Sequence, residues 1–184
     1  MKIYRAEILP LNADKIGTSA HGDVEFTIDG DNLHIKLEMF DTPENIRHWE
    51  YFHGFPDGKE ADIPTMGHHD GFIDLPETEV VSGTTMVPLD AAPHKMCIPN
   101  NNYPVADKTG YYSYEKNVPY HELLAKFKEA FGDDSLQLDK RVVYIHGVPN
   151  SLELPDTVGG KINDKYDQHV TLPIAAGKIR KVEI

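Results

Sequence analysis

Two short segments, far apart in the chain, carry the residues best suited to chemistry. The first is H-W-E-Y-F-H-G, from His48 to Gly54, and the second is R-V-V-Y-I-H-G-V, from Arg141 to Val148. Each reads as a β-strand that ends by presenting a histidine. Side chains alternate along a strand, so Trp49, Tyr51 and His53 share one face, and Val142, Tyr144 and His146 share another. Two histidines brought together from distant strands are how a β-sandwich builds a metal site, and neutral imidazole suits copper, zinc, iron and nickel. From spacing alone, the plainer alternative is that both are polar positions on a sheet face, hydrogen-bonded or solvated.

The bulk of the chain narrows the function classes. It has 184 residues, enough for a single domain with a real core. Its formal net charge of −12 argues against nucleic acid and anionic membrane surfaces as partners. No apolar run is long enough to span a bilayer. The start, M-K-I-Y-R-A-E-I-L-P-L-N, has no apolar leader and reads as a strand, so the expected location is the cytoplasm, or the periplasm or exterior if a signal has been removed. Cys97 is the only cysteine, which excludes an intramolecular disulfide and fits a reducing compartment. A homodimer is compatible with everything in the sequence.

The elements that must position the histidines read as mostly β. Lys2–Leu9 is a strand. Gly22–Asp29 alternates through Val24, Phe26 and Ile28, and Leu33–Phe40 through Leu33, Ile35, Leu37 and Met39; the turn Asp29-Gly30-Asp31-Asn32 makes them a hairpin. Arg47–His53 is the strand of the first motif. Residues 54–110 are rich in Pro, Gly, Asn and Asp and read as long loops with a short strand near Thr84–Leu89. Tyr111–Lys116 is a strand. Tyr120–Phe131 is the one clear helix, with Leu123, Leu124, Phe127, Ala130 and Phe131 as its stripe and Gly132 as its stop. Arg141–His146, Gln168–Ile174 and Gly177–Ile184 close the list. Many short strands with long connections point to an all-β Greek-key sandwich or flattened barrel with one inserted helix.

At these residues the chain resembles the copper/zinc superoxide dismutases and their bacterial superoxide-dismutase-like relatives. H-G-D-V-E-F-T-I-D-G-D-N-L-H-I-K-L is similar to the family's opening hairpin. H-W-E-Y-F-H-G-F is similar to the strand that carries two copper ligands as H-x-H. R-V-V-Y-I-H-G-V-P-N is similar to the strand of the last copper ligand, with an Asx residue, here Asn150, four positions on. L-P-I-A-A-G-K-I is similar to the closing strand. The resemblance covers both ends of the chain in order and leaves the middle loops without a counterpart.

What the resemblance implies is an incomplete site. His53 matches the second position of H-x-H and His146 the last copper ligand, but the first position of H-x-H is Tyr51. His48 falls where the family has a structural histidine. The bridging histidine falls on His69, with His68 beside it, and the zinc aspartate on Asp70 or Asp74. The half-cystine positions are Ala176 and, near enough, Ile63, so the family's disulfide is lost at both ends. The arginine that guides superoxide falls on Pro173. A phenol in place of an imidazole changes charge, reach and ligand softness. Loss of the arginine removes positive charge from a protein that is already strongly acidic. Together these argue against fast superoxide chemistry while leaving slow redox chemistry or plain metal binding open.

Simpler roles stand beside these. His48 braces a loop as readily as it binds metal. His68-His69-Asp70 is a metal cluster or a solvated loop. M-G-H-H-D-G-F-I-D-L-P-E echoes a calcium loop through Asp70, Gly71, Asp74 and Glu77, but Met66 and His68 replace two of its ligands, so a turn at Asp70-Gly71 is the better reading. The expectation is one superoxide-dismutase-like domain over 1–184. Its function is that of a non-dismutase metal-binding or interaction protein. The alternatives are an active copper or copper/zinc dismutase using His53, His146, His69 and His48, and a related chordin-type binding module. Copper, zinc or no metal at all are equally open.

Overall fold

A computed structural model describes residues 1–64, 71–97 and 101–182. The N-terminal half is a meander. Strand β1 (Lys2–Pro10) pairs antiparallel with β2 (His21–Asp29), and β2 pairs with β3 (Asn32–Phe40). Asp29 lies opposite Asn32, so Gly30 and Asp31 alone make the turn, and Gly30 takes the left-handed φ of 60° that such a tight reversal needs. Leu33, Ile35, Leu37 and Met39 are buried as the alternation requires.

The rest of the described chain supplies six further strands, of which β4 and β7 carry the two histidine motifs. These are β4 (Glu50–Gly54), β5 (Thr84–Pro88), β6 (Tyr112–Pro119), β7 (Val142–His146), β8 (Pro173–Lys178) and β9 (Arg180–Val182). The hydrogen-bonded order is β5-β4-β7-β8-β1-β2-β3-β6, with β9 also on β1, and every pairing is antiparallel. The result is a mostly antiparallel, curled half-barrel. Its concave side holds the main core, built on Phe26, Leu33, Ile35, Leu37, Phe52, Val143 and Ile145.

Among the described residues four α-helices decorate the sheet: α1 (Ala13–Ile16), α2 (Leu75–Ser82), α3 (Tyr120–Phe131) and α4 (Gln168–Thr171). Helix α3 spans the expected residues, buries Leu123 and Phe127 and ends at Gly132 in the left-handed region. Two others correct the sequence reading. Residues 168–171 are helical rather than the start of a strand, with the Asp167 carboxylate accepting from the His169 N–H at the N-cap; the closing strand begins only at Pro173. Within the expected loop 54–110, α2 is capped by Asp74, which accepts from the Glu77 N–H, and carries Pro76 in its first turn. The D-L-P-E spelling is a helix start signal. The helix has no apolar stripe because the residues it buries are Thr78 and Ser82, while Val80 is exposed. Among the described residues no helix is long and apolar enough to cross a membrane.

Candidate functional site

Every residue of β4 and β7 is buried, on both faces of the sheet. One face belongs to the main core through Phe52, Val143 and Ile145. The other carries Tyr51, His53, Val142, Tyr144 and His146 and is roofed by the connections. Ala61, Ile73 and Leu11 pack on Val142, Tyr144 and Ala176, with Phe55 and Ile63 alongside. Tyr103, Tyr166 and Val170 pack around Trp49 and Tyr51. The positions where the resemblance places half-cystines, Ile63 and Ala176, therefore meet in an apolar cluster.

The register sets the geometry of the histidines. Tyr51 lies opposite Tyr144, His53 opposite Val142, and the His146 N–H bonds to the Trp49 carbonyl at 2.8 Å. The two histidines thus flank the tyrosine pair diagonally. Their ring centroids are 6.2 Å apart with planes 25° from parallel. His53 lies 4.6 Å from the Tyr144 ring, and His146 lies 4.9 Å from the Tyr51 ring. Pro173, where the resemblance places the guiding arginine, is the partner of His146 on β8 and is itself buried.

Both H-G dipeptides follow from close approach. A β-carbon on Gly54 would fall 2.4 Å from the buried Arg141 side chain. Gly147 has φ 113° and sits where a β-carbon would be 3.1 Å from the Arg47 carbonyl and 3.2 Å from His48 Nδ1.

Protonation of His146 follows from its partner. Its Nδ1 faces the Trp49 carbonyl oxygen at 3.3 Å. A carbonyl only accepts, so Nδ1 carries the proton and Nε2 carries a bare lone pair. That Nε2 is buried and has no hydrogen-bond partner among the described residues. For His53, Nε2 meets the Thr85 hydroxyl at 3.2 Å, and Nδ1 is likewise buried without a partner. A hydroxyl donates or accepts, so Thr85 tolerates either tautomer; with the proton on Nε2, the Nδ1 lone pair is free. Burial drives both imidazoles down to about 3, so both are neutral at pH 7; each ring's charge also disfavours charge on its neighbours, and the Gly83 carbonyl beside His53 opposes the shift.

The tyrosines stay protonated. Burial raises Tyr51 and Tyr144 well beyond the ordinary phenol range. Tyr144 donates to Ser82 Oγ, which donates on to the Asp62 carbonyl, so α2 and the loop before it are tied to the site.

His48 takes a different role. It lies on the opposite face, stacked on Tyr112 with centroids 5.6 Å apart, and its two nitrogens each sit 2.9 Å from a carbonyl oxygen, of Pro43 and of His146. It braces the start of β4 against the end of β7. Asp74 spends one oxygen on the cap of α2 and the other on the Gly159 N–H at 2.8 Å. Asn150 is exposed in a turn after β7. His68, His69 and Asp70 lie outside the described residues. Among the described residues no group of three or more His, Cys, Asp or Glu side chains is placed to hold a metal ion.

The sequence reading did not single out Glu50. It is fully buried on the core side of β4, with Oε1 accepting from the Tyr112 hydroxyl at 2.9 Å and Oε2 without a partner among the described residues. Burial raises its carboxyl well above the usual range. Its place in H-W-E-Y-F-H was the available signal, since alternation sets it on the face opposite Trp49 and Tyr51, together with Phe52.

No family model matches the chain, and no curated protein matches it. Fit to a metal therefore rests on the donor set itself. Two neutral imidazoles on one buried face, His146 with a bare Nε2 and His53 with a bare Nδ1 in its Nε2–H tautomer, suit a borderline or soft transition metal. They fall short of the four-ligand set of a structural zinc site.

Proposed function

We propose that this chain is a superoxide-dismutase-like Greek-key domain whose buried histidine pair binds copper without fast superoxide turnover. The observation that carries the reading is the bare Nε2 of His146, fixed by the Trp49 carbonyl, on the same covered face as the unpartnered Nδ1 of His53. The strand order supports the Greek-key assignment, because β1 lies between β8 and β2 while β7 inserts between β4 and β8. Copper bound here would supply one-electron redox chemistry. The chain's own residues would hold it with two imidazoles, keep Tyr51 as a protonated phenol beside His146, and exclude water. Tyr51 in place of an imidazole and a buried Pro173 in place of a cation support slow or absent turnover.

The sole tryptophan makes a direct test. The Trp49 ring is 6.2 Å from that of Tyr51, which packs on His146. Titration with Cu²⁺ is expected to quench Trp49 fluorescence saturably at one equivalent. His53→Ala and His146→Ala should each abolish the quenching, and His34→Ala on β3 should leave it intact. Quenching that survives both substitutions, or no saturable binding at all, would sink the reading in favour of a module whose histidines only complete the packing.

A further inference from the structure

We infer that Trp49 and Tyr166 form a one-electron relay that carries oxidising equivalents from the covered histidine face to the protein surface. The relay deepens the copper reading and rests on it for the source of those equivalents. Trp49, the sole tryptophan, is 1% exposed. Two routes couple it to His146. Its carbonyl accepts from the His146 N–H at 2.8 Å and faces His146 Nδ1 at 3.3 Å. Its ring lies 6.2 Å from that of Tyr51, which lies 4.9 Å from that of His146. On the outward side the Tyr166 ring lies 4.8 Å from Trp49, edge to face, closer than either Tyr103 or Tyr51. Rings at these spacings are in packing contact, and single electrons cross such short gaps readily.

Proton exits decide where the relay ends. A phenol is easier to oxidise than an indole at neutral pH only if it can shed its proton, because the phenol radical cation is a strong acid. Of the three phenols around Trp49, Tyr51 and Tyr103 are 3% and 4% exposed, and burial raises both beyond the ordinary phenol range. The Tyr103 hydroxyl has no hydrogen-bond partner among the described residues. Tyr166 is only half-buried, just before α4, where water can take its proton. The Lys165 ammonium, 5.4 Å from the centre of the Tyr166 ring, disfavours a cationic ring and so favours proton loss. Trp49 has an exit of its own. Its Nε1–H donates to Asn101 Oδ1 at 3.3 Å, and both residues line a small cleft of about 170 Å³. Packing alone would account for an aromatic cluster; it does not require the lone indole to stand between His146 and the one phenol of the three that water reaches.

A covered face admits a small oxidant but no bulky reductant, so electrons must reach it through the protein. Hydrogen peroxide is such an oxidant. It takes one electron from a cuprous ion held by the two imidazoles and one from Trp49, whose indole also loses its Nε1 proton. The indolyl radical then takes an electron from Tyr166 and a proton from solvent, and Tyr166 releases its phenolic proton to water. In sum, one cuprous ion, one peroxide and one phenol become one cupric ion, one hydroxide, one water and one phenoxyl radical. A thiol in solution restores the phenol by giving an electron and a proton, and becomes a thiyl radical.

The test uses the full chain without metal, so it stands apart from copper binding. A laser pulse at a wavelength that only tryptophan absorbs ionises Trp49, and transient absorption follows the indolyl radical and any phenoxyl that replaces it. In the parent the indolyl signal should decay as the phenoxyl signal grows, at a rate independent of protein concentration. Tyr166→Phe should abolish the phenoxyl growth and leave a longer-lived indolyl radical. Tyr103→Phe, which removes an unpartnered hydroxyl, should change neither signal. Unchanged melting temperatures establish that both variants are folded; should Tyr166→Phe fail to fold, a nitroso spin trap followed by peptide mapping of the parent should place the adduct on Tyr166. The relay is overturned if no phenoxyl forms in the parent, if the phenoxyl survives Tyr166→Phe, or if the adduct maps to Tyr51 or Tyr103. Phenoxyl growth in a chain that binds no copper sinks the copper reading and leaves the relay; copper binding without phenoxyl growth sinks the relay and leaves the copper reading.

Discussion

His53 and His146 approach to 6.2 Å between ring centroids although they are not cross-strand partners; His53 faces Val142, and the rings lean toward each other across the Tyr51–Tyr144 pair. Both are completely buried and held neutral, with titration pushed down to about 3 by desolvation. In the unfolded chain each would titrate near 6.5. Below that pH the unfolded state binds protons that the folded state refuses, so stability falls as pH drops from about 6.5 toward 3. The slope approaches about 1.4 kcal/mol per pH unit for each histidine. Urea midpoints measured from pH 7 to pH 4 should fall, and His53→Phe should reduce the slope; a slope identical to the parent's would exclude His53 as its source.

Copper should bind more tightly than zinc, in keeping with the general affinity order, and proton competition for the buried imidazoles should weaken it only as the pH approaches their depressed value of about 3. Tyr51→His should tighten copper by adding an imidazole to the same face. Superoxide turnover should stay low even then, because Pro173, opposite His146, brings no cation to the site. Calorimetric titration of parent and variant measures the first point, and a superoxide assay after copper loading the second. High turnover by the unaltered protein would refute the reading of a degenerate site.

Glu50 is a buried acid on the core side of the same strand. Its raised pKa carries the opposite sign from the histidines. The folded state keeps the proton longer, so stability is lost as pH rises above the ordinary carboxylate range. Glu50→Gln preserves the shape and the acceptor for the Tyr112 hydroxyl while removing the titration. The variant should melt higher than the parent at pH 8, and the difference should shrink toward pH 4. A lower melting temperature for the variant at pH 8 would contradict this account.

The long connection is pinned without a disulfide. Asn12, in a left-handed conformation, donates to the carbonyls of Ile73 and Pro173 at 2.8 Å each and accepts from the Ile73 N–H at 2.7 Å. Asn12→Gly keeps the backbone geometry but deletes all three bonds, and should cost about 2–4 kcal/mol. Dithiothreitol should leave the unfolding midpoint unchanged, whereas a domain stapled by a disulfide typically loses ~2–5 kcal/mol on reduction. Chemical denaturation of both proteins with and without reductant checks the two expectations together.

The sequence by itself determined the elements whose pattern is local. The β2–β3 hairpin was legible because alternation and a two-residue turn leave one register. Helix α3 was legible because its apolar stripe matches the helical period and Gly132 stops it. The histidines were legible as strand-borne because each sits in phase with aromatic neighbours. Helix α2 was not, because its buried side chains are Thr78 and Ser82, and its hydrophobic pattern is silent; only its N-cap spells it. Helix α4 was mistaken for strand because Val170 and Thr171 favour extended backbone in isolation, while the Asp167 cap and the packing of Val170 near Trp49 decide otherwise.

Tertiary structure alone decided what the histidines do. Strand periodicity places His48 on the opposite face from His53, but only the folded chain shows its two nitrogens each facing a carbonyl oxygen, of Pro43 and of His146, so that one of them takes the ring's single N–H. It likewise fixes which nitrogen of His146 is bare, because that depends on a carbonyl from a strand distant in sequence. Burial of the pair depends on loops that the pattern left unassigned, and burial is what makes the imidazoles neutral. Side-chain type and face are properties of a segment; protonation and free lone pairs are properties of what packs against it.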